Sequence, residues 1–265
     1  MNPFVSIMRR YCTNYVNCHD FSVLPQIMVD DYGLSMGEHV LRGRDTQYLN
    51  AARIQMTDIS GMLLTVHEIV TNGERLAMRF SEHGASRRNH GKVASWAGIA
   101  LYQWDGERLL HCAVEQDYRA RKRQYANAAA DLVDTPAAAP WDTVAAPADQ
   151  ESERVVRAWL AAGMPRRGAV SFDDEWLGVE PESVLAPQET EVLDLFSAGS
   201  TVAFRVRQVG ALAPGFLDGA LAGIPVFLHS AGIVRTAGGG IVGGRIVRDR
   251  MGLERRLRNN IVKVT

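Results

Sequence analysis

Cysteine is scarce in this chain: 265 residues hold three, Cys12, Cys18 and Cys112, with no close-spaced pair. Neither a disulfide scaffold nor a structural zinc site is expected from that spacing. Lysine occurs only at Lys92, Lys122 and Lys263, so arginine supplies nearly all the positive charge. An excess of either sign is missing too. The formal net charge is -1, which gives no pull toward a nucleic-acid backbone or an anionic membrane. No apolar run is long enough to span a bilayer, and Arg9 and Arg10 follow only a few apolar residues, the wrong order for a signal peptide. A cytoplasmic protein is expected. The chain also lacks H-E-x-x-H, a Walker lysine loop and G-x-S-x-G. Gly238 to Gly243 matches G-x-G-x-x-G, but that dinucleotide motif needs a helix opening at the glycines. Here only 22 residues follow Gly243 and the next ones alternate as a strand does, so the glycines read as a hairpin turn.

The composition that is present, 46% apolar and 22% charged, belongs to a globular protein, and the length fits two domains that each bury a core. The organising stretch is Leu109 to Tyr118. It follows a turn at Trp104 to Arg108 and an apolar run from Ala97 to Gln103, which together read as a hairpin. On its second strand the period of two puts His111, Ala113, Glu115 and Asp117 on one face. A second copy of this pattern lies downstream. Ala97-Gly98-Ile99 returns as Ala231-Gly232-Ile233 at a spacing of 134, and Asp117 returns as Asp249 at 132. Leu76 to Gly84 matches Val202 to Gly210 at 126, which sets Arg205 against Arg79. Constant order at nearly constant offset argues for an internal duplication.

In chain order, residues 4–18 carry a helical stripe, Val23 to Val29 a second short helix, and residues 45–56 a third. Strands are expected at 62–70, 75–83 and 93–104, closed by the organising strand. Helices first and a curled sheet afterwards is an α+β pattern, with the helices laid across one face to form a cone that holds a small ligand. The expected domains are 1–125, an Ala/Pro-rich linker at 126–150, and a second, degenerate cone at 151–265. In that copy a helix starts at Glu151, and strands follow at 190–196, 200–209, 224–236 and 241–250. No room remains there for the third helix. Trp141 is read as a pin holding the linker to a domain surface.

These residues resemble the SnoaL-like polyketide cyclases of the nuclear transport factor two-like superfamily. The likeness is carried by Arg42-Gly43-Arg44-Asp45 before a helix, the strand ending in Gly84, the strand ending in Asp117, and Val247 to Leu253. It implies two tandem cone-shaped α+β barrels, each a curved antiparallel sheet wrapped by N-terminal helices, paired as an intramolecular pseudo-dimer and open to further homo-oligomerisation. It also implies catalysis with no metal or organic cofactor, with Asp117 as general acid or base. In epoxide-opening relatives an Arg-x-Asp lies beside that aspartate; Arg79 matches it and Ser81 does not.

The expected site comprises Asp117 moving a proton, Arg79 steadying an oxyanion, and His83 as a further polar group. Tyr15, Tyr32, Trp96, His111 and Glu115 are expected to contact substrate. Each has a plainer role: strand-end carboxylate, seam ion pair, surface histidine, or packed aromatic with a satisfied tip. The expected function is a cofactor-independent lyase or isomerase performing retro-aldol cleavage, dehydration or cyclisation on a hydrophobic aromatic or polycyclic small molecule. The alternative is a non-catalytic binding or scaffold protein of the same fold.

Overall fold

A computed structural model of the chain describes residues 2–217 and 221–262, with side chains as far as Asn259. The expected domain ends at Met1 and residues 263–265 therefore lie outside the described residues. The first helix, α1 (Pro3–Arg10), starts where the Asn2 side chain accepts hydrogen bonds from the amides of Phe4 and Val5. That cap satisfies donors the helix cannot satisfy itself. The chain then widens into a π-helical segment, Tyr11–Asn17, before the short α2 (Leu24–Ile27). A second π-helical turn at Gly43–Tyr48 leads into α3 (Leu49–Asp58). Both widened turns feed large side chains, Tyr15 and Tyr48 among them, into the first core.

Six strands make the first sheet: β1 (Met28–Met36), β2 (His39–Arg42), β3 (Leu63–Thr71), β4 (Arg75–Ser86), β5 (Lys92–Trp104) and β6 (Leu109–Gln116). Their order is β2-β1-β6-β5-β4-β3. One pairing departs from the expected antiparallel sheet, because β1 runs parallel to β6. The chain reaches β1 from the helices and enters beside the last strand, so no hairpin sets its direction.

After α4 (Tyr118–Asn127), residues 128–149 are irregular apart from a single turn at Pro140–Asp142. They are fastened rather than free. Ala137 and Ala146 donate backbone hydrogen bonds to Val66 and Thr71 on β3, and Trp141 packs on the first core, as expected. The second half holds α5 (Gln150–Ala161), β7 (Val170–Phe172), β8 (Leu185–Ala198), β9 (Thr201–Leu212), β10 (Pro225–Ala237), β11 (Gly240–Arg248) and α6 (Arg250–Val262). Its strand order, β7-β11-β10-β9-β8, repeats β1-β6-β5-β4-β3 of the first sheet, including the parallel edge pair. Between Phe172 and Leu185 only one 3-10 turn intervenes, so the third helix is missing as expected.

Register corrects one detail of the repeat. Phe80 pairs with Gly98, and Phe204 pairs with Gly232. In both places a Cβ on the glycine would collide with the phenylalanine ring, so glycine is what lets the ring lie flat across the next strand. This shared arrangement makes Phe204 the counterpart of Phe80. Arg205 then matches Ser81, and Ala203 matches Arg79, two residues away from the alignment drawn on sequence.

The two sheets meet back to back. Val70, Ala77, Ile99 and Leu101 pack against Phe196, Ala203, Ala231, Ile233 and Val247 in a core of their own. Both faces of each sheet are thus covered, one by its helices and one by the other half. The chain is two tandem α+β cones joined as an intramolecular pair.

Candidate functional site

Alternation on the strands decides which residues can meet a ligand in the first cone. On β4, Leu76, Met78 and Phe80 point into the helix-covered core, and Glu82 continues that face. Ala77, Arg79 and Ser81 point the other way, into the seam. On β6, Cys112, Val114 and Gln116 face the cone, whereas His111, Ala113 and Glu115 face out. The residues expected to line the cone cavity through Asp117, Arg79 and His83 therefore sit on the opposite side of the sheet.

Asp117 is buried, with 1% exposure. It caps α4 by accepting from the Ala120 amide at 3.1 Å, and it pairs with Arg250 of the second half at 2.7 Å. Burial pushes its carboxyl up, against the pull of Arg250. Although burial works against its charge, Arg250 holds its proton more firmly than usual because Asp173, Asp117, Asp174 and Glu182 surround it. Arg79 is paired with Asp134 of the linker at 2.6 Å and with Glu68 at 3.5 Å. His83 meets the Thr65 hydroxyl at 3.0 Å, and His111 meets that of Ser35 at 3.0 Å. Glu115, fully buried, accepts from the Gly37 amide and from Arg205 Nε at 2.9 Å. The cavity in this seam is about 30 Å³, the room of a water or two and not of a substrate.

The cone itself holds a cavity of about 160 Å³, walled by α1's extension, α3, β1, β4 and β6. Tyr15 lines it, joined by Tyr11 and Tyr48, whose hydroxyls lie 3.4 Å apart. Burial pushes the pKa of all three phenols well above the usual value, so they remain neutral donors. Tyr32 is packed beneath them, edge-on to Tyr48 at 5.0 Å. Trp96 stands behind the wall, donating through Nε1 to Gln116 Oε1 at 2.8 Å.

Glu82 supplies this cavity with a carboxyl group that sequence reasoning passed over. It is 8% exposed and accepts from Gln55 Nε2 at 2.9 Å. Burial pushes its carboxyl up to about 7, while Arg121, Gln55 and Trp96 pull the other way. A carboxyl balanced near neutrality exchanges a proton in either direction at working pH. The signal was present in the pattern Leu76, Met78, Phe80, Glu82, a carboxylate set at the end of a row of large apolar side chains.

No group of three or more His, Cys, Asp or Glu side chains among the described residues could hold a metal ion. No helix among them is long and apolar enough to cross a membrane.

No protein-family model matches the chain, and no curated protein matches it in sequence. Solved structures do resemble it. A candidate SnoaL-like polyketide cyclase from Jannaschia sp. CCS1 is 12% identical with a TM-score of 0.42, over 44% of this chain and 88% of its own. IdmH, a candidate polyketide cyclase from Streptomyces antibioticus, is 16% identical with a TM-score of 0.42, over 48% and 99%. TsrD from Streptomyces laurentii is 19% identical with a TM-score of 0.42, over 46% and 94%. Each spans a little under half of this chain.

Proposed function

We propose that the chain is a cofactor-independent acid/base catalyst acting on a small hydrophobic molecule in its first cone, with Glu82 moving the proton. The observation carrying this reading is Glu82 itself, a buried carboxyl pushed up to about 7 on the wall of a mainly aromatic and aliphatic cavity whose other polar side chains include His39, Gln55 and Gln116. Neutral phenols of Tyr11, Tyr15 and Tyr48 supply hydrogen-bond donors for an oxygen that gains negative charge as a carbon-bound proton leaves. The cavity's 160 Å³ compares with the roughly 150 Å³ of an engineered apolar cavity that binds benzene. The enclosed part of the substrate is therefore a single ring or its equivalent, with any larger portion outside. Aldol-type cyclisation and dehydration begin with removal of such a carbon-bound proton, whereas retro-aldol cleavage begins with removal of a hydroxyl proton and ends with protonation of the enolate carbon.

A surrogate carbon acid tests this without the natural substrate. Acetophenone in D₂O with the wild-type chain should exchange its methyl protons faster than the buffer alone, followed by proton NMR. Glu82→Gln, with the same thermal midpoint below pH 5, should reduce exchange to background. Acetophenone bound in the cone with no exchange would mark a binding protein; undiminished exchange in Glu82→Gln would remove Glu82 from the chemistry.

A further inference from the structure

The first cone opens onto a second, wider space. Met36, His39, Gln55 and Tyr118 line both the cone cavity and a groove of about 1150 Å³ running between α3, α4 and α6. That groove is cationic, with six arginine and lysine side chains on its walls against three carboxylates. The carboxylates are already engaged. Asp58 accepts from the Ser86 hydroxyl and the Arg88 amide, Asp249 accepts from the Gly252 amide, and Glu38 faces His229. Among the described residues, Arg88, Lys92, Arg121 and Arg255 form no ion pair within 4.0 Å, although the charge of Arg121 acts on Glu82 and that of Arg255 on Asp249.

Arg121 stands beside Tyr118, which lines both spaces. Its guanidinium lies 4.1 Å from the ring centre of Tyr118 and 4.8 Å from that of Trp96. Stacking holds the planar group in place through its face, which leaves the N–H fork at its edge free for a two-pronged contact with an oxyanion. A cationic concave wall with apolar backing concentrates that attraction.

We propose that the ligand of the first cone is an amphiphilic anion, its single-ring apolar body in the cavity and its oxyanion in the groove on Arg121, with Arg88 and Arg255 adding to the field. This rests on the cone being the working site, and the two claims fail separately. Titration calorimetry of the full chain would compare 3-phenylpropionate with its uncharged analogue 3-phenyl-1-propanol. The carboxylate should bind about tenfold more tightly, as expected when one charge-assisted contact is added. Arg121→Gln should abolish that preference while the alcohol binds unchanged, and Arg121→Lys should restore part of it. Equal affinity of both probes for the wild-type chain, or a preference that survives Arg121→Gln, would overturn the inference and leave the cone reading standing. Failure of both probes to bind, or binding that survives filling the cavity by Ala52→Trp, would overturn the cone reading and this inference with it.

Discussion

Asp117 and Arg250 meet across the seam at 2.7 Å, each more than nine-tenths buried. Arg250 is the hub of this contact, since Asp173, Asp174 and Glu182 also reach it. Removing the hub leaves several buried carboxylates facing one another, whereas removing Asp117 leaves Arg250 still paired. Arg250→Met should therefore cost about 3–5 kcal/mol. Asp117→Asn keeps a capping oxygen for the Ala120 amide and loses one charged contact to Arg250, so it should cost only about 1.5–3 kcal/mol. Urea unfolding of both variants checks the order, and a costlier Asp117→Asn would contradict it.

Glu82 ties stability to pH. Its folded value near 7 lies above the ordinary 4.5, so between those values the native chain binds more protons than the unfolded one. Stability contributed by this group is full at low pH and declines as pH rises through that window. At about pH 8 the buried charge costs roughly 3 kcal/mol, taking ~1.36 kcal/mol per pKa step. Glu82→Gln carries no such charge. It should exceed the wild type in stability at pH 8 and lose that advantage near pH 4, read from denaturant midpoints. Glu115, pushed up to about 7 as well, is present in both chains and cancels.

Gly98 and Gly232 should both resist alanine. The added methyl meets the ring of Phe80 or Phe204 across the strand pair, and overpacking of this sort costs about 1–3 kcal/mol. Combining Gly98→Ala with Phe80→Leu should recover part of the loss, since contacting positions do not add. A double variant as destabilised as the sum of the singles would dissociate the two residues.

Thiol reactivity separates the three cysteines. Cys12 and Cys112 are buried, and burial pushes both thiols up, Cys112 to about 12. Cys18 is exposed. An aromatic disulfide reagent should titrate one thiol rapidly in the native chain and three after denaturation. Rapid native labelling of more than one would show that the cone opens.

The strands of both halves were legible because alternation and glycine turns are local signals: 75–83 and 93–104 became Arg75–Ser86 and Lys92–Trp104. The missing helix of the second half was legible for the same reason, as a length too short to hold it. Which side of the sheet faced the cone was not. Both faces of β4 and β6 are covered, so charged residues at the seam, such as Arg79 and Asp117, imitate the wall of a pocket. The partners that reveal their role, Asp134 and Arg250, lie in the linker and at the far end of the chain. Glu82 escaped notice because its neighbours on the same face are large and apolar, the very context that gives it its chemistry.

The backbone bonds that strap residues 128–149 along β3 hold two similar but unequal cones at a fixed local concentration, whatever the abundance of the protein. A pair built from identical separate subunits would have to accept every substitution twice. Fusion lifts that symmetry, so the second cone can do without a helix and put an arginine where its sibling has Ser81, while the first retains a hollow.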